Sequence, residues 1–322
     1  MKQEKLQKKF KKFLKKNLNN KIIAVTGSNG FISKHIIREL KSLKIKNLKI
    51  KELNSQNTNY FDLKNLNSKL KSVDIVFHLS SATGGIKYTK ENMSDQFYIT
   101  MSKDLNIFQS AKINNVKKLI TLGNLHAYPR NINKALQENN LHGKLPFAGH
   151  LGIGWSKRNL SVMGEIFSQN KSKTSFITLY SANCYGPGDT LDLNYGHIIP
   201  KLIIQCLKNK DFELFGSLEA IREFIYVKDL ARIMILAAIK VNKSSIFNIG
   251  SGESIKISKL VKIIKEKTKF KKKIINKSKI KDNSRRVCDS KNLKKEINYK
   301  IIYNLNKGLE DTILWYKKFK EK

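Results

Sequence analysis

The chain has 322 residues, 40% of them hydrophobic, so it can bury a sizeable core in one large domain or two smaller ones. Its 63 Lys and Arg against 25 Asp and Glu give a formal charge of +38. The basic residues are spread along the whole chain, which favours compositional bias over a surface dedicated to nucleic acid. RNA or an anionic surface is the alternative partner. Three distant cysteines without C-x-x-C spacing exclude a disulfide framework, and no apolar run approaches the roughly 18 residues that span a bilayer, so we expect a cytoplasmic protein.

Residues 1–20 form a basic segment whose apolar side chains fall at helical spacing: Leu6, Phe10, Phe13, Leu14 and Leu18. The apolar face is short for a membrane-surface helix. We therefore predict an amphipathic helix that packs on its own domain or on a partner subunit.

A glycine turn follows the apolar run 22–25 and precedes a helical pattern, in the sequence VTGSNGFIS of residues 25–33. Gly27 would permit the tight turn, and Gly30 would let the backbone approach a pyrophosphate at the start of the helix. An ordinary glycine turn before a helix is the alternative. The order strand, turn and helix favours a dinucleotide-binding loop.

Strands and helices alternate through the first 182 residues. We predict strands at 48–51, 60–63, 73–79, 116–122 and 176–182, and helices at 95–111 and 155–169. Alternation of this kind predicts an α/β fold with a doubly wound parallel sheet, whose ligands lie at the carboxyl ends of the strands.

Beyond residue 182 the predicted elements are shorter. They are helices at 198–208, 227–240, 257–267 and 306–318, strands at 213–215 and 246–249, and a strand within the lysine-rich tract 267–281. The predicted organisation is an N-terminal segment (1–20), a Rossmann domain (21–182, plus segments near 220–250) and a smaller interleaved C-terminal lobe for the substrate (183–322).

Seven segments carry a family resemblance: TGSNGFIS (26–33), HLSSATGGI (78–86), GWSKRNLSVMGE (154–165), NCYGPGD (183–189), HIIPKLI (197–203), IREFIYVKDLA (221–231) and NIGSGESIKISKL (248–260). Their content and order resemble the extended short-chain dehydrogenase/reductase family, especially NAD-dependent epimerases and dehydratases of the GDP-L-fucose synthase-like branch. The resemblance covers roughly residues 21–317.

The resemblance implies NAD or NADP as the cofactor. The residues that it assigns to cofactor binding are Gly27, Asn29, Gly30, Phe31, Ile32, Asp62, Leu63, Ser80, Ala82, Thr83 and Lys157. An acidic residue about 20 positions past the glycine loop would bind the ribose hydroxyls of NAD, and a basic one the phosphate of NADP. Glu52 follows Lys51, so the chain has an acidic and a basic residue near this position, and Glu52 slightly favours NAD.

The resemblance also implies a nucleotide-activated sugar as substrate, in the synthesis of surface polysaccharide. The residues that it places near the substrate are Asn183, His197, Lys201, Arg222 and Arg286, where cations would meet the diphosphate. Members of this group commonly dimerise through the helix that bears the active-site lysine, so a homodimer is expected. No metal site is expected.

Three positions depart from the family pattern. The tyrosine four residues before Lys157, the family's acid and base, is replaced by Ile153, and the family's serine by Asn124 or Leu125 according to alignment. An asparagine of the preceding long helix is replaced by Thr100. Loss of an acid and base alone lowers a rate by about 10² to 10⁴.

Two explanations of the altered site stay open. Chemistry can persist with other groups, because His126 and His197 match the cysteine and histidine with which fucose synthase-like enzymes epimerise a keto-sugar, and imidazole has a suitable pKa. The candidate catalytic residues are then Lys157, His126, His197 and Asn124, with His150 and Tyr128 as further proton donors. Alternatively, the fold is an inactive binding module, structural or RNA-binding.

Overall fold

The structure is a computed structural model that describes residues 11–129, 132–146, 150–169, 171–214, 216–277 and 284–320. The strands of these residues are β1 (Ile22–Thr26), β2 (Lys49–Leu53), β3 (Ile75–His78), β4 (Lys118–Asn124), β5 (Ser175–Ser181), β6 (Asn183–Tyr185), β7 (Phe212–Leu214), β8 (Ile221–Tyr226), β9 (Ser245–Ile249), β10 (Ser254–Lys256), β11 (Ile274–Asn276) and β12 (Arg285–Arg286). The helices are α1 (11–18), α2 (Phe31–Ser42), α3 (Leu63–Leu70), α4 (Ile86–Glu91), α5 (Met93–Ile113), α6 (Leu151–Phe167), α7 (Ile198–Lys208), α8 (Val227–Lys240), α9 (Ile257–Thr268), α10 (Lys291–Ile297) and α11 (Leu305–Lys320).

A six-stranded parallel sheet in the order β2-β1-β3-β4-β5-β9 forms the centre of the fold. Alternate strand residues point to opposite faces, so Val25 of β1 packs with α2 and α8, whereas Ala24 packs with α3, α5 and α6. Both faces are therefore covered by helices. The prediction of a doubly wound Rossmann-type sheet is confirmed, and the chain reverses its direction of strand addition between β1 and β3.

Helix α1 packs on this domain. Leu14 and Leu18 are buried in the same core as α2 and α8, and the Lys240 ammonium lies 5.7 Å from the centre of the Phe13 ring. The expectation that this helix packs on its own domain is confirmed for residues 11–18, while Leu6 and Phe10 lie outside the described residues. No helix in the described part of the chain is long and apolar enough to cross a membrane.

The predicted strand at 60–63 is wrong. The Asp62 carboxylate accepts hydrogen bonds from the backbone N–H groups of Lys64 (2.8 Å) and Asn65 (3.2 Å), which begins helix α3. Leu66 and Leu70 then face the core from that helix. An N-cap and an apolar repeat of helical spacing outweigh the short apolar run on which the strand prediction rested.

The C-terminal part builds smaller sheets and a core of its own. Strand β8 pairs with β6, β10 and β12, and β7 pairs with β11. Helices α7, α9 and α11 supply most of the apolar side chains that pack there. The four helices predicted in this part are confirmed to within two residues, whereas β8, which carries Arg222, was missed. The predicted domain division stays a prediction, and residues 278–283 of the lysine-rich tract lie outside the described residues.

Candidate active site

The glycine loop follows β1, which lies between β2 and β3, so the loop is at the point where the order of strand addition changes direction. Gly27 has a φ of +60°, and a Cβ built there would lie 3.0 Å from the Cα of Ser80 in the loop after β3. Only glycine fits both the backbone conformation and this close approach. The tight turn predicted at Gly27 is thus present, and the loops after β1 and β3 touch each other at the carboxyl edge of the sheet.

A buried network fixes these two loops. The hydroxyl of Thr26 accepts hydrogen bonds from the N–H groups of Leu79 (3.0 Å) and Ser80 (3.2 Å), and it lies 2.7 Å from Nδ1 of His78. The one hydroxyl proton is therefore donated to Nδ1, which places the ring proton of His78 on Nε2, 2.8 Å from the Asp104 carboxylate. Sequence reasoning missed this network, although polar His78 at the end of an apolar run was a signal.

Some backbone N–H groups of the glycine loop have partners within the protein, and others are available to a ligand. The N–H of Gly27 donates to the Tyr60 hydroxyl (3.0 Å), and the N–H of Ser28 donates to the Leu53 carbonyl (3.0 Å). The N–H groups of the first turn of α2, at Phe31 and Ile32, have no acceptor within a helix. With the exposed Asn29 and Gly30 beside them, they form a cradle that fits the pyrophosphate of a dinucleotide.

Other predicted cofactor residues have structural partners of their own. Glu52 lies in an exposed ion pair with Lys41 (2.7 Å), and Asp62 caps α3 beside half-buried Leu63. The backbone of Ala82 is held by Thr100 (3.3 Å) and by the Gln96 amide (3.0 Å), which sets the path of the loop from Ser80 to the exposed Thr83. Thr100 therefore shapes the loop after β3.

Ile153 and Lys157 lie one turn apart on α6, with 4% and 6% of their surfaces exposed. Between them, a Cβ built on Gly154 would lie 2.9 Å from the carbonyl oxygen of His126, so α6 touches the segment after β4. Arg158 strengthens this contact by donating its Nε to the Ala127 carbonyl (2.8 Å). An isoleucine side chain thus occupies the helix position that precedes Lys157 by one turn, and it can exchange no proton.

His126 is the centre of a cluster of histidine and arginine side chains at the end of β4. Its ring lies beside that of His150, with 4.1 Å between centroids and 33° between the ring planes, and its Nδ1 lies 2.5 Å from the Arg286 guanidinium. The Asn124 side chain accepts a hydrogen bond from the His126 N–H (3.0 Å) and so orients the segment. Asn124 therefore acts on the backbone of His126.

The pKa values of His126 and His150 are both lowered. Burial is the largest cause for His126, whose pKa lies well below its usual value, and the charges of His150, Arg286, Arg222 and His197 lower it further. Burial, Arg286, Lys90 and Arg222 lower the pKa of His150 to about 4. Both rings are therefore neutral at pH 7.

The predicted substrate residues divide into two groups. His197 begins α7, and its half-exposed side chain lies with Nδ1 3.7 Å from the Asp189 carboxylate. Arg222 and Arg286 face His126 and His150, and Arg222 also donates to the Ser284 carbonyl (2.7 Å). Asn183 and Lys201 instead donate to backbone carbonyls, of Glu223 (3.2 Å) and Asn194 (2.9 Å). The structure thus brings His126, Arg222, Arg286 and His197 together.

No group of three or more His, Cys, Asp or Glu side chains among the described residues is arranged to hold a metal ion.

The fold and the glycine loop define a dinucleotide-binding protein of the Rossmann type. The sequence identifies the family within that class. Residues 23–250 match the NAD dependent epimerase/dehydratase family, and the chain belongs to that family. The prediction of NAD or NADP as cofactor agrees with this family.

Two curated relatives are sugar-nucleotide synthases. The chain is 28% identical to GDP-L-colitose synthase of Yersinia pseudotuberculosis over 251 residues, 75% of this chain and 80% of the relative. It is 25% identical to GDP-L-fucose synthase of Dictyostelium discoideum over 269 residues, 80% of this chain and 82% of the relative. The resemblance to the fucose synthase-like branch is confirmed.

Solved structures share the fold at low identity. A GDP-6-OMe-4-keto-L-xylo-heptose reductase from Campylobacter jejuni superposes with a TM-score of 0.84 at 21% identity, covering 93% of this chain and 98% of that one. A GDP-L-fucose synthetase from Naegleria fowleri bound to NADP gives 0.83 at 20% identity, covering 94% and 95%.

Proposed function

We propose that this protein binds NAD or NADP and a nucleotide-activated sugar, and that it epimerises a keto-sugar. The observation that carries the proposal is the cluster of His126, Arg222, Arg286 and His197. The two guanidinium groups suit an anionic diphosphate, and the His197 imidazole suits removal of a proton from a carbon beside a carbonyl. The named relatives support a nucleotide-sugar epimerase or reductase-like activity.

The cofactor would lie over the carboxyl edge of β1 and β3. When bound, a nicotinamide supplies hydride exchange with a sugar carbon. The chain's own contribution would be the α2 N–H groups at the pyrophosphate, the loop Ser80–Thr83 around it, and Lys157 at the nicotinamide end. Glu52 is proposed to meet the ribose, and Asp62 with Leu63 the adenine.

The replaced tyrosine favours proton transfer over carbonyl reduction. A reduced carbonyl oxygen needs a proton, and Ile153 has none to give. Epimerisation needs a base beside a carbonyl, which His197 can supply: the nearby Asp189 carboxylate favours the ring proton on Nδ1 and so leaves the Nε2 lone pair for the substrate. We therefore place epimerisation ahead of reduction, with Asn183 and Lys201 as further contacts of the substrate.

We also propose a homodimer, a cytoplasmic location and a role in surface polysaccharide synthesis. Exposed apolar side chains on the neighbouring helices α5 and α6 support the dimer; they are Phe97, Tyr98, Leu105, Trp155, Val162 and Ile166. The biosynthetic role is supported by the relatives alone.

Ligand-dependent thermal unfolding tests the proposed function. The purified protein is heated with NAD, NADP and a panel of GDP-, UDP-, CDP- and dTDP-sugars, with an RNA oligomer in parallel. A ligand that binds the folded state raises Tm. We expect a rise with NAD or NADP and with one sugar nucleotide. A rise with RNA alone, abolished by salt, would instead identify an RNA-binding module.

A further inference from the structure

The contact between Arg286 and His126 determines which nitrogen of His126 carries the proton. A guanidinium has only donors and stays protonated in proteins, so at 2.5 Å it must donate and Nδ1 of His126 must accept. A neutral imidazole has a single proton. That proton is therefore on Nε2, and His126 has a hydrogen-bond donor at that atom.

The surroundings oppose a second proton on the ring. Four groups face His126 from different elements: His150 at the start of α6, Arg286 on β12, Arg222 on β8 and His197 at the start of α7. Each is a cation or becomes one on protonation. Together with burial they keep the pKa of His126 low, so the ring stays neutral across the physiological range.

The backbone holds this donor in one place. The Asn124 side chain binds the His126 N–H, and the carbonyl of His126 lies against Gly154 of α6, where a Cβ would come within 2.9 Å. A donor fixed before the substrate arrives needs no reorganisation during the reaction, which is the condition under which hydrogen bonds to a developing oxyanion are most effective.

We propose that His126 is a neutral hydrogen-bond donor that stabilises, through Nε2–H, the enolate oxygen of a nucleotide-linked keto-sugar, and that Arg286 is the positioning residue that fixes this tautomer. The proposal rests on the proposed function and assigns a separate role to His126 within it. His126 takes the place of a hydroxyl donor, and the base is another group, His197.

The protons and electrons balance with solvent water as the one further participant. His197 removes the proton from the carbon beside the carbonyl, the C–H electron pair forms a carbon–carbon double bond, and the carbonyl π pair moves to the oxygen held by His126. Solvent water then gives a proton to the opposite face of the carbon, His197 releases the proton that it took up to solvent, and the product is the epimer. Delivery of the Nε2 proton itself would leave an imidazolate, so His126 suits enolisation and does not suit reduction.

The tautomer is measured on the full chain with ¹⁵N-labelled histidine, using two-bond ring correlations in NMR at pH 5.5 to 8. The His126 signals are assigned by their loss in His126→Gln. We expect a neutral ring with its proton on Nε2 over the whole range. In Arg286→Gln the ring should titrate at higher pH and populate both tautomers, whereas Arg285→Gln, the same charge change one position earlier on β12, should leave it unchanged.

A proton on Nδ1, or a ring that is charged at pH 6, would overturn the proposal; both are read on the wild-type protein, and the variant serves only to assign the signals. Equal effects of the substitutions at 285 and 286 would overturn the role of Arg286.

The catalytic role is tested by solvent deuterium exchange into a GDP-linked 4-keto-hexose, with binding of the same compound measured separately. His126→Leu, which removes the donor, should lower the exchange rate by about 10² to 10³ with binding little changed. If the variant binds the compound and exchanges deuterium as fast as the wild type, the proposed role of His126 is overturned and the proposed function stands. Absence of binding by the wild type would overturn the proposed function and this role with it.

Discussion

At the scale of single residues, two neutral histidines beside two guanidinium groups make the site sensitive to acid. The pKa of His150 is about 4 in the folded chain and about 6.5 in an unfolded one, so below pH 6.5 the unfolded state binds more protons. Stability contributed by neutral His150 is therefore complete above pH 6.5 and is lost as the pH falls toward 4.

We expect this loss to reach about 3 kcal/mol in the free energy of unfolding between pH 6.5 and 4. The check is urea unfolding of wild type and His150→Asn at several pH values. The stability of the variant should fall less steeply with acid. Identical slopes for both proteins would show that His150 is not held neutral by its surroundings.

Gly27 offers a second test at this scale. Gly27→Ala places a side chain at a φ of +60° and 3.0 Å from the Ser80 backbone. We expect it to lower the free energy of unfolding by about 1 to 3 kcal/mol and to weaken NAD(P) binding. Gly143→Ala is the matched control, because a Cβ there has no neighbour within 4 Å. Equal unfolding midpoints for the two variants would contradict the account of the turn.

At the scale of elements, much of the sheet could be predicted from sequence because its strands are buried on both faces. The run of β3 is apolar except at His78, and the helices beside it repeat at helical spacing. Helix α3 was missed because the capping by Asp62 competes with a strand-like run. The contact of His126 with Arg286 joins residues 160 positions apart, and no local pattern reveals it.

Helix α3 depends on its capping carboxylate. Asp62→Ala removes the acceptor of two backbone N–H groups and should lower the free energy of unfolding by about 1 kcal/mol, as other N-cap losses do. Asp62→Asn retains an oxygen acceptor and should stay close to wild type. Chemical denaturation compares the three proteins, and equal losses from both substitutions would point to a role for the charge instead.

At the scale of the whole molecule, the exposed apolar faces of α5 and α6 predict the assembly. Ile166 is 61% exposed on α6, and Ile166→Glu should shift the dimer toward monomer in sedimentation or light scattering. Leu314→Glu, at a similarly exposed position on α11, is the control and should leave the mass unchanged. A wild-type monomer would contradict the proposed dimer directly.

The proposed site, with neutral His126 and His150 and with Ile153 at the position of the family's tyrosine, predicts proton transfer as its chemistry. In the most direct measurement, wild-type protein is mixed with a GDP-linked 4-keto-hexose and NADPH in D₂O. Deuterium incorporation into the sugar is followed by NMR, and NADPH oxidation is followed by absorbance. We predict that exchange exceeds NADPH oxidation by about 10²-fold or more, since Ile153 cannot protonate the oxygen of a reduced carbonyl. NADPH oxidation as fast as exchange would contradict the account.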